Sequence, residues 1–255
     1  MKHQYFADER DFLKFDLWME LADHLGQCRL TFVPMFTAPD GTKQGGKRKY
    51  AVGERRKCLY DFLQSFCLPE NENKRSITEL RQFFASKAGR VYHYQPYRDG
   101  EKKDCDYFEH ERRLDYFTNI PSGWLFNSVV LIDPDTGLET RSRYWRKKPE
   151  RYATFSDIAN VAKKSTGNTV LLVVQFPQYA KKVAAGDLDY RADRLREMLR
   201  FPGSPDWSVY WISQKKGEST VGDLAFFVLA SPTRAAEKVK KLLPNYARRH
   251  DMLWR

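Results

Sequence analysis

Apolar residues recur at helical spacing from residue 8 to 25, where Phe12, Phe15, Leu17, Trp18, Leu21 and Leu25 form one stripe. Gly26 follows as a helix stop. Residues 29–37 then read as a strand made irregular by Pro34, and a long polar loop runs from Ala38 to about Val52. The pattern predicts helices over 54–66 and 77–87, a strand over 90–95, a helix over 107–117 and a strand over 128–132. Beyond that point the alternation is cleaner. A helix is expected at 156–164, with Thr154 or Ser156 as its cap, and 169–175 is the most apolar strand of the chain. A helix at 190–201, strands at 208–213 and 224–230, and a helix at 233–246 with a basic tail complete the pattern.

Strands alternating with helices predict an α/β protein with a mainly parallel sheet covered on both faces. The last two strands depart from that rule. Residues 214–223 are too few for a helical crossover, so this pair is expected to run antiparallel. No linker or repeat divides the 255 residues, which read as a single domain, 1–255, with a helical insertion at about 54–89.

One segment carries chemistry. The apolar run Val129-Val130-Leu131-Ile132 ends in Asp133-Pro134-Asp135-Thr136-Gly137, which cannot continue a strand because Pro lacks a donor and Gly favours a turn. Asp133 is therefore expected at the carboxyl end of a central strand, where open α/β sheets bind their ligands. Asp133, Asp135 and Glu139 could together hold Mg²⁺ through hard oxygen ligands. They could equally be a solvated turn whose carboxylates bond local N–H groups. Asp8 and Asp11 are explained by the dipole of the first helix. Gln175 either lines the same cleft or closes a strand-end turn. His93 reads as a packed or surface residue more readily than as a catalytic one.

Charge adds a class of partner. Lys and Arg number 44 against 33 Asp and Glu, a net charge of +11 that favours a polyanion such as nucleic acid. Basic and aromatic residues interleave in Arg141, Arg143, Tyr144, Trp145, Arg146, Lys147 and Lys148, a mixture suited to neutralising phosphates while stacking on bases. The four cysteines lack the spacing of a zinc site, so no metal centre is expected from them. With no apolar run long enough to span a bilayer and no signal-peptide core at the start, a cytoplasmic protein is expected.

The order strand, helix, strand, helix and antiparallel strand pair resembles the Rossmann-like three-layer sandwich of S-adenosylmethionine-dependent methyltransferases. In that fold the fourth strand ends in an Asp-Pro-Pro-Tyr type motif, and here Asp133-Pro134-Asp135-Thr136 stands in its place. The segment Phe6-Ala7-Asp8-Glu9-Arg10-Asp11-Phe12 is similar to the opening of the large-subunit ribosomal RNA adenine-N6 methyltransferases, and the three-Cys-motif partner proteins share the layout. The resemblance implies that Asp133 and Pro134, with Asp135 beside them, position a target amine. It also implies that S-adenosylmethionine is met by Lys14 and by Thr37 and Gly41 after the first strand. Read from its pattern alone, Lys14 is as well explained as a snorkelling surface lysine. Two departures stand out: a single glycine follows the first strand, and Asp135 and Thr136 replace the second proline and the aromatic residue.

Three functions are therefore open. The first is a methyltransferase acting on DNA or RNA. The second is a Mg²⁺-dependent nuclease or phosphodiesterase using Asp133 and Asp135. The third is a non-catalytic nucleic-acid- or partner-binding module, of the kind found in phage-defence or modification systems.

Overall fold

A computed structural model describes residues 7, 9–26, 28–38, 56–66, 77–87, 89–92, 107–141, 143–176, 185–201, 206–216, 220–231 and 233–255. Helix α1 (Glu9–Leu25) leads into strand β1 (Arg29–Pro34), and α2 (Lys57–Ser65) and α3 (Ile77–Ala85) precede β2 (Gly89–Val91). Two short helices, α4 (Arg113–Thr118) and α5 (Ser122–Leu125), lead to β3 (Ser128–Asp133), then β4 (Gly137–Leu138) and β5 (Tyr152–Ala153). The chain continues through α6 (Phe155–Lys164), β6 (Val170–Gln175), α7 (Ala185–Met198), β7 (Ser208–Lys216), β8 (Thr220–Ala230), α8 (Arg234–Arg249) and β9 (Met252–Trp254).

Seven strands form one sheet in the order β2-β1-β3-β6-β8-β7-β9, and β4 with β5 makes a separate small pair. Strands β2, β1, β3 and β6 pair in parallel, whereas β8 is antiparallel to both β6 and β7, and β9 is antiparallel to β7. Five strands thus point one way and two the other. The expected antiparallel pairing of β7 with β8 is present, and it lets β8 insert between β6 and β7.

The central strands explain their own burial. Every residue of β3 and β6 is buried, as continuous apolar runs covered on both faces must be. Pleating sends alternate residues to opposite sides. Val129, Leu131, Leu172 and Val174 join α1, α2, α3 and α8 in one core, while Val130, Ile132, Leu171 and Val173 join α4 to α7 in the other. Each buried Val, Leu or Ile contributes about 1.5–3 kcal/mol, so the two cores lock the sheet between two helical layers. Trp18 fixes α1 on β3 by donating its indole N–H to the Val129 carbonyl at 2.7 Å.

Several boundaries differ from the sequence-based expectation. The first strand stops at Pro34, although residues 35–37 stay buried beyond it. The helix expected over 107–117 begins only at Arg113, after extended residues and one 3₁₀ turn at His110–Arg112. Helix α7 starts at Ala185, earlier than expected, and the basic tail forms β9, which pairs its Trp254 with Ile212. Thr154 is the cap of α6: its side chain accepts the Asp157 N–H while the Asp157 carboxylate accepts the Thr154 N–H. His93 and Gly41 lie outside the described residues. No helix among the described residues is long and apolar enough to cross a membrane.

Candidate functional site

The sheet reverses its order at β1, which has β2 on one side and β3 on the other. A crevice for ligands lies outside the carboxyl ends of strands at such a switch point. Pro34 and Asp133, the last residues of β1 and β3, are register partners there. The Met35 N–H donates to the Asp133 carbonyl at 3.0 Å, so the backbone ties the two strand ends together.

Asp133 is 0% exposed. Its Oδ2 accepts from Lys14 Nζ at 2.8 Å, and Lys14, 3% exposed, also lies 2.5 Å from Asp11 Oδ1. Asp11 in turn accepts the Ala7 N–H at 2.7 Å, where Ala7 takes the left-handed φ of 68°. Lys14 is therefore not a snorkelling lysine; it bridges two buried carboxylates from one turn of α1. The ring of Phe176, just after β6, stands 5.7 Å from both Lys14 Nζ and the Arg10 guanidinium carbon. Two buried oxygens at this end of the sheet have no hydrogen-bond partner among the described residues: Asp133 Oδ1 and Thr37 Oγ1. An unsatisfied buried acceptor costs about 1–3 kcal/mol, so each is a position where a polar ligand would add stability.

The turn after Asp133 is held by Gln175. Its Oε1 accepts the Leu138 N–H at 2.9 Å, and its Nε2 donates to the Phe176 carbonyl at 3.1 Å and, at a longer 3.4 Å, to that of Thr136. Gly137 makes this approach possible. It has φ +130°, and a Cβ there would fall 2.4 Å from Gln175 Nε2. Of the two readings of Gln175, the structure supports the strand-end turn.

The three carboxylates of the motif have separate partners. Asp133 meets Lys14, Asp135 Oδ2 lies 3.6 Å from Arg151 Nε, and Glu139 accepts the Phe155 N–H at the start of α6 at 2.9 Å. Among the described residues, no group of three or more His, Cys, Asp or Glu side chains could hold a metal ion. Asp135 therefore brings its charge to Arg151 rather than adding it to that of Asp133.

The basic cluster lies in the connection between β4 and β5. Arg143–Lys147 forms a 3₁₀ turn, with Trp145 half-buried, Arg146 and Lys147 exposed, and the Arg146 guanidinium over the Trp145 ring at 5.7 Å. The side chains of Arg143 and Tyr144 lie outside the described set. Arg141 reaches away from this turn to stack on Tyr190 of α7.

Two residues escaped sequence reasoning. The helix dipole is not the whole account of Asp11, whose i,i+3 spacing from Lys14 on the apolar side of α1 signals the ion pair that the structure contains. Arg191 occupies the buried stripe of α7 between Leu188, Ala192 and Leu195, a position where a cation is unexpected. Burial pushes its guanidinium pKa below the usual value, against the opposing pull of Asp187.

Neither a family model nor a curated protein matches the chain. Among solved structures, the chain is similar to the crystal structure of protein LPL1258 from Legionella pneumophila, of the DUF519 family model, at 13% identity and TM-score 0.40. That alignment covers 98% of this chain and 96% of the other.

Proposed function

We propose that this chain is a nucleic-acid-acting enzyme on a Rossmann-like, methyltransferase-like scaffold, most simply an S-adenosylmethionine-dependent DNA or RNA methyltransferase. The observation that carries the reading is Asp133 Oδ1, a fully buried carboxylate oxygen without a donor at the switch point of the sheet. Support also comes from the antiparallel β8 seated between β6 and β7, the ending that the resemblance implies.

In this mechanism Asp133 Oδ1 accepts an N–H from the target amine and orients the nitrogen lone pair for attack. Lys14 holds Asp133 in place through Oδ2, and Pro134 presents the backbone of the turn. Thr37 Oγ1, buried and without a hydrogen-bond partner among the described residues, would take a polar group of the cofactor, and Lys14 would approach it from α1. When bound, S-adenosylmethionine supplies the electrophilic methyl group. The cluster from Arg141 to Lys147 holds the nucleic acid by its phosphates.

The separate partners of Asp133, Asp135 and Glu139 favour amine positioning over Mg²⁺-assisted phosphodiester cleavage. Isothermal titration with S-adenosylmethionine and S-adenosylhomocysteine tests the cofactor, and methyl transfer to RNA and DNA tests the reaction. Asp133→Asn is expected to keep the fold and lose about 100-fold in transfer. Absence of heat with both ligands would remove the cofactor claim and with it the methyltransferase reading.

A further inference from the structure

Helices α7 and α8 treat their cations differently. Every cation of α7 is paired within its own helix: Arg191 with Asp187, Arg194 with Glu197 and Arg196 with Asp193. On α8 two cations turn to the fold, where Lys238 donates to the Leu25 carbonyl at 2.7 Å and Arg249 meets Glu20 at 2.5 Å. The other four, Arg234, Lys240, Lys241 and Arg248, are exposed and have no carboxylate partner among the described residues. Glu237, the one acid of α8, stands three or four residues from Arg234, Lys240 and Lys241 and forms an ion pair with none of them.

These cations are arranged as a row. Arg234, Lys241 and Arg248 are spaced by seven residues, so on a helix they fall within an arc of about 40° and along about 21 Å. Asn245 lies between the last two, and its Oδ1 accepts from Arg248 Nη2 at 3.5 Å. The row begins in the first turn of α8, where the helix dipole disfavours a cation. The apolar residues Val239, Leu242, Leu243 and Tyr246 are buried in the core between α8, α1 and the sheet. A membrane-surface helix holds lipid by sinking an apolar face among the headgroups, and α8 has no such face to spare. A straight row of unpaired cations fits a partner whose phosphates also repeat along a rigid line.

We propose that the outward face of α8, through Arg234, Lys241 and Arg248 with Lys240 at its flank, docks the phosphate backbone of a nucleic-acid duplex. The proposal rests on the nucleic-acid reading above and extends the contact to the helical layer opposite α6 and α7. About 21 Å of duplex presents about six phosphates on each strand, so the row is met by charge alone and reads no base sequence.

The test titrates the full chain into fluorescent RNA and DNA duplexes of about 20 base pairs over a range of salt concentrations. The triple variant Arg234→Gln, Lys241→Gln, Arg248→Gln is expected to bind at least roughly tenfold more weakly, with the slope of log K against log salt reduced by about two to three. Its melting temperature is expected to match that of the parent, because the three side chains are exposed and form no ion pair. A second triple variant removes the same charge elsewhere: Arg194→Gln, Arg196→Gln and Arg255→Gln take away cations already paired with Glu197, Asp193 and Asp189. It is expected to keep the parental slope. Equal losses in both variants would reduce the effect to net charge and overturn the docking face. If the parent binds duplex and the α8 variant keeps its affinity and slope, the face is wrong and the nucleic-acid reading survives. Binding of single strands alone would likewise keep that reading and overturn the duplex. If the parent binds neither form, both fall together. Vesicles of phosphatidylcholine with phosphatidylserine complete the set. Binding to them that is lost in the α8 variant, with duplex binding unchanged, would assign the face to an anionic membrane surface instead.

Discussion

Helix α1 carries two ionic clusters, and they differ in how completely their charges are met. Near its start, Asp11 and Lys14 join Asp133, whose Oδ1 has no partner among the described residues. One turn later, Asp16, Glu20 and Asp23 face a set of groups that answer them in full. Asp16 Oδ2 accepts from the Tyr246 hydroxyl at 2.9 Å, and Asp16 Oδ1 lies 3.0 Å from Arg56 Nε. That second contact is Coulombic, because the Arg56 Nε–H does not point along it. Arg56 also reaches Glu20 and Asp23 at 2.9 Å, and Arg249 meets Glu20 at 2.5 Å. The second cluster fastens α1 to α8 and to the residue that precedes α2. Each of its carboxylates has a cationic partner, which suits a structural clip even though Arg56 Nε makes no hydrogen bond among the described residues. The first cluster lies against the carboxyl ends of the strands and leaves an acceptor over, which suits a ligand site.

That contrast is sharpest in the loss of a partner. Lys14→Met strips two buried carboxylates of their shared ammonium and is expected to cost about 3–5 kcal/mol in urea denaturation. Adding Asp133→Asn in the same chain is expected to restore part of the loss; no restoration would mean that Asp133 and Lys14 are not coupled. In the clip, Asp16→Ala leaves the fully buried Tyr246 hydroxyl without its acceptor, at about 1–3 kcal/mol. Cofactor binding by this variant is expected to match the parent, and a loss of it would erase the distinction between the clusters. Gly137→Ala forces a side chain into the positive-φ position against Gln175 and is expected to cost about 2 kcal/mol. Because it displaces the Asp133 turn, methyl transfer should fall with it, which parallel melting and activity measurements would show.

The smallest effect is a pH dependence. Burial pushes the Glu20 carboxyl up, but the hydrogen bonds and charges of Arg249 and Arg56 outweigh it and hold the group below its usual value. A carboxyl depressed in the folded state stabilises above its unfolded pKa, roughly 4.3, and loses that contribution as pH falls through the folded value. Melting temperature should therefore drop more steeply below about pH 4 in the parent than in Arg249→Ala. Identical acid limbs would show that the clip adds no pH-dependent stability.

Much of this architecture was legible along the chain. The apolar runs of β3 and β6 announce strands covered on both faces, and Asp-Pro-Asp-Thr-Gly announces where β3 ends. The short connection between β7 and β8 announces their antiparallel pairing. Local pattern was weaker at Met252–Trp254, where three residues in a basic tail become a strand only because the edge of β7 is there to pair with. The separate partners of Asp133, Asp135 and Glu139 were also illegible, since a carboxylate-rich turn reads the same whether its charges converge or diverge.

By itself the sequence determined the strand-end position of Asp133, because a buried strand and its breaker are written in adjacent residues. It also determined the basic, aromatic-laced segment that follows. Only the tertiary structure decided that Lys14, 119 residues away, lies on Asp133, and that Arg141 stacks on the helix that buries Arg191. Burial and charge pairing between distant segments depend on how the helices pack on the sheet, and no local spacing encodes that packing.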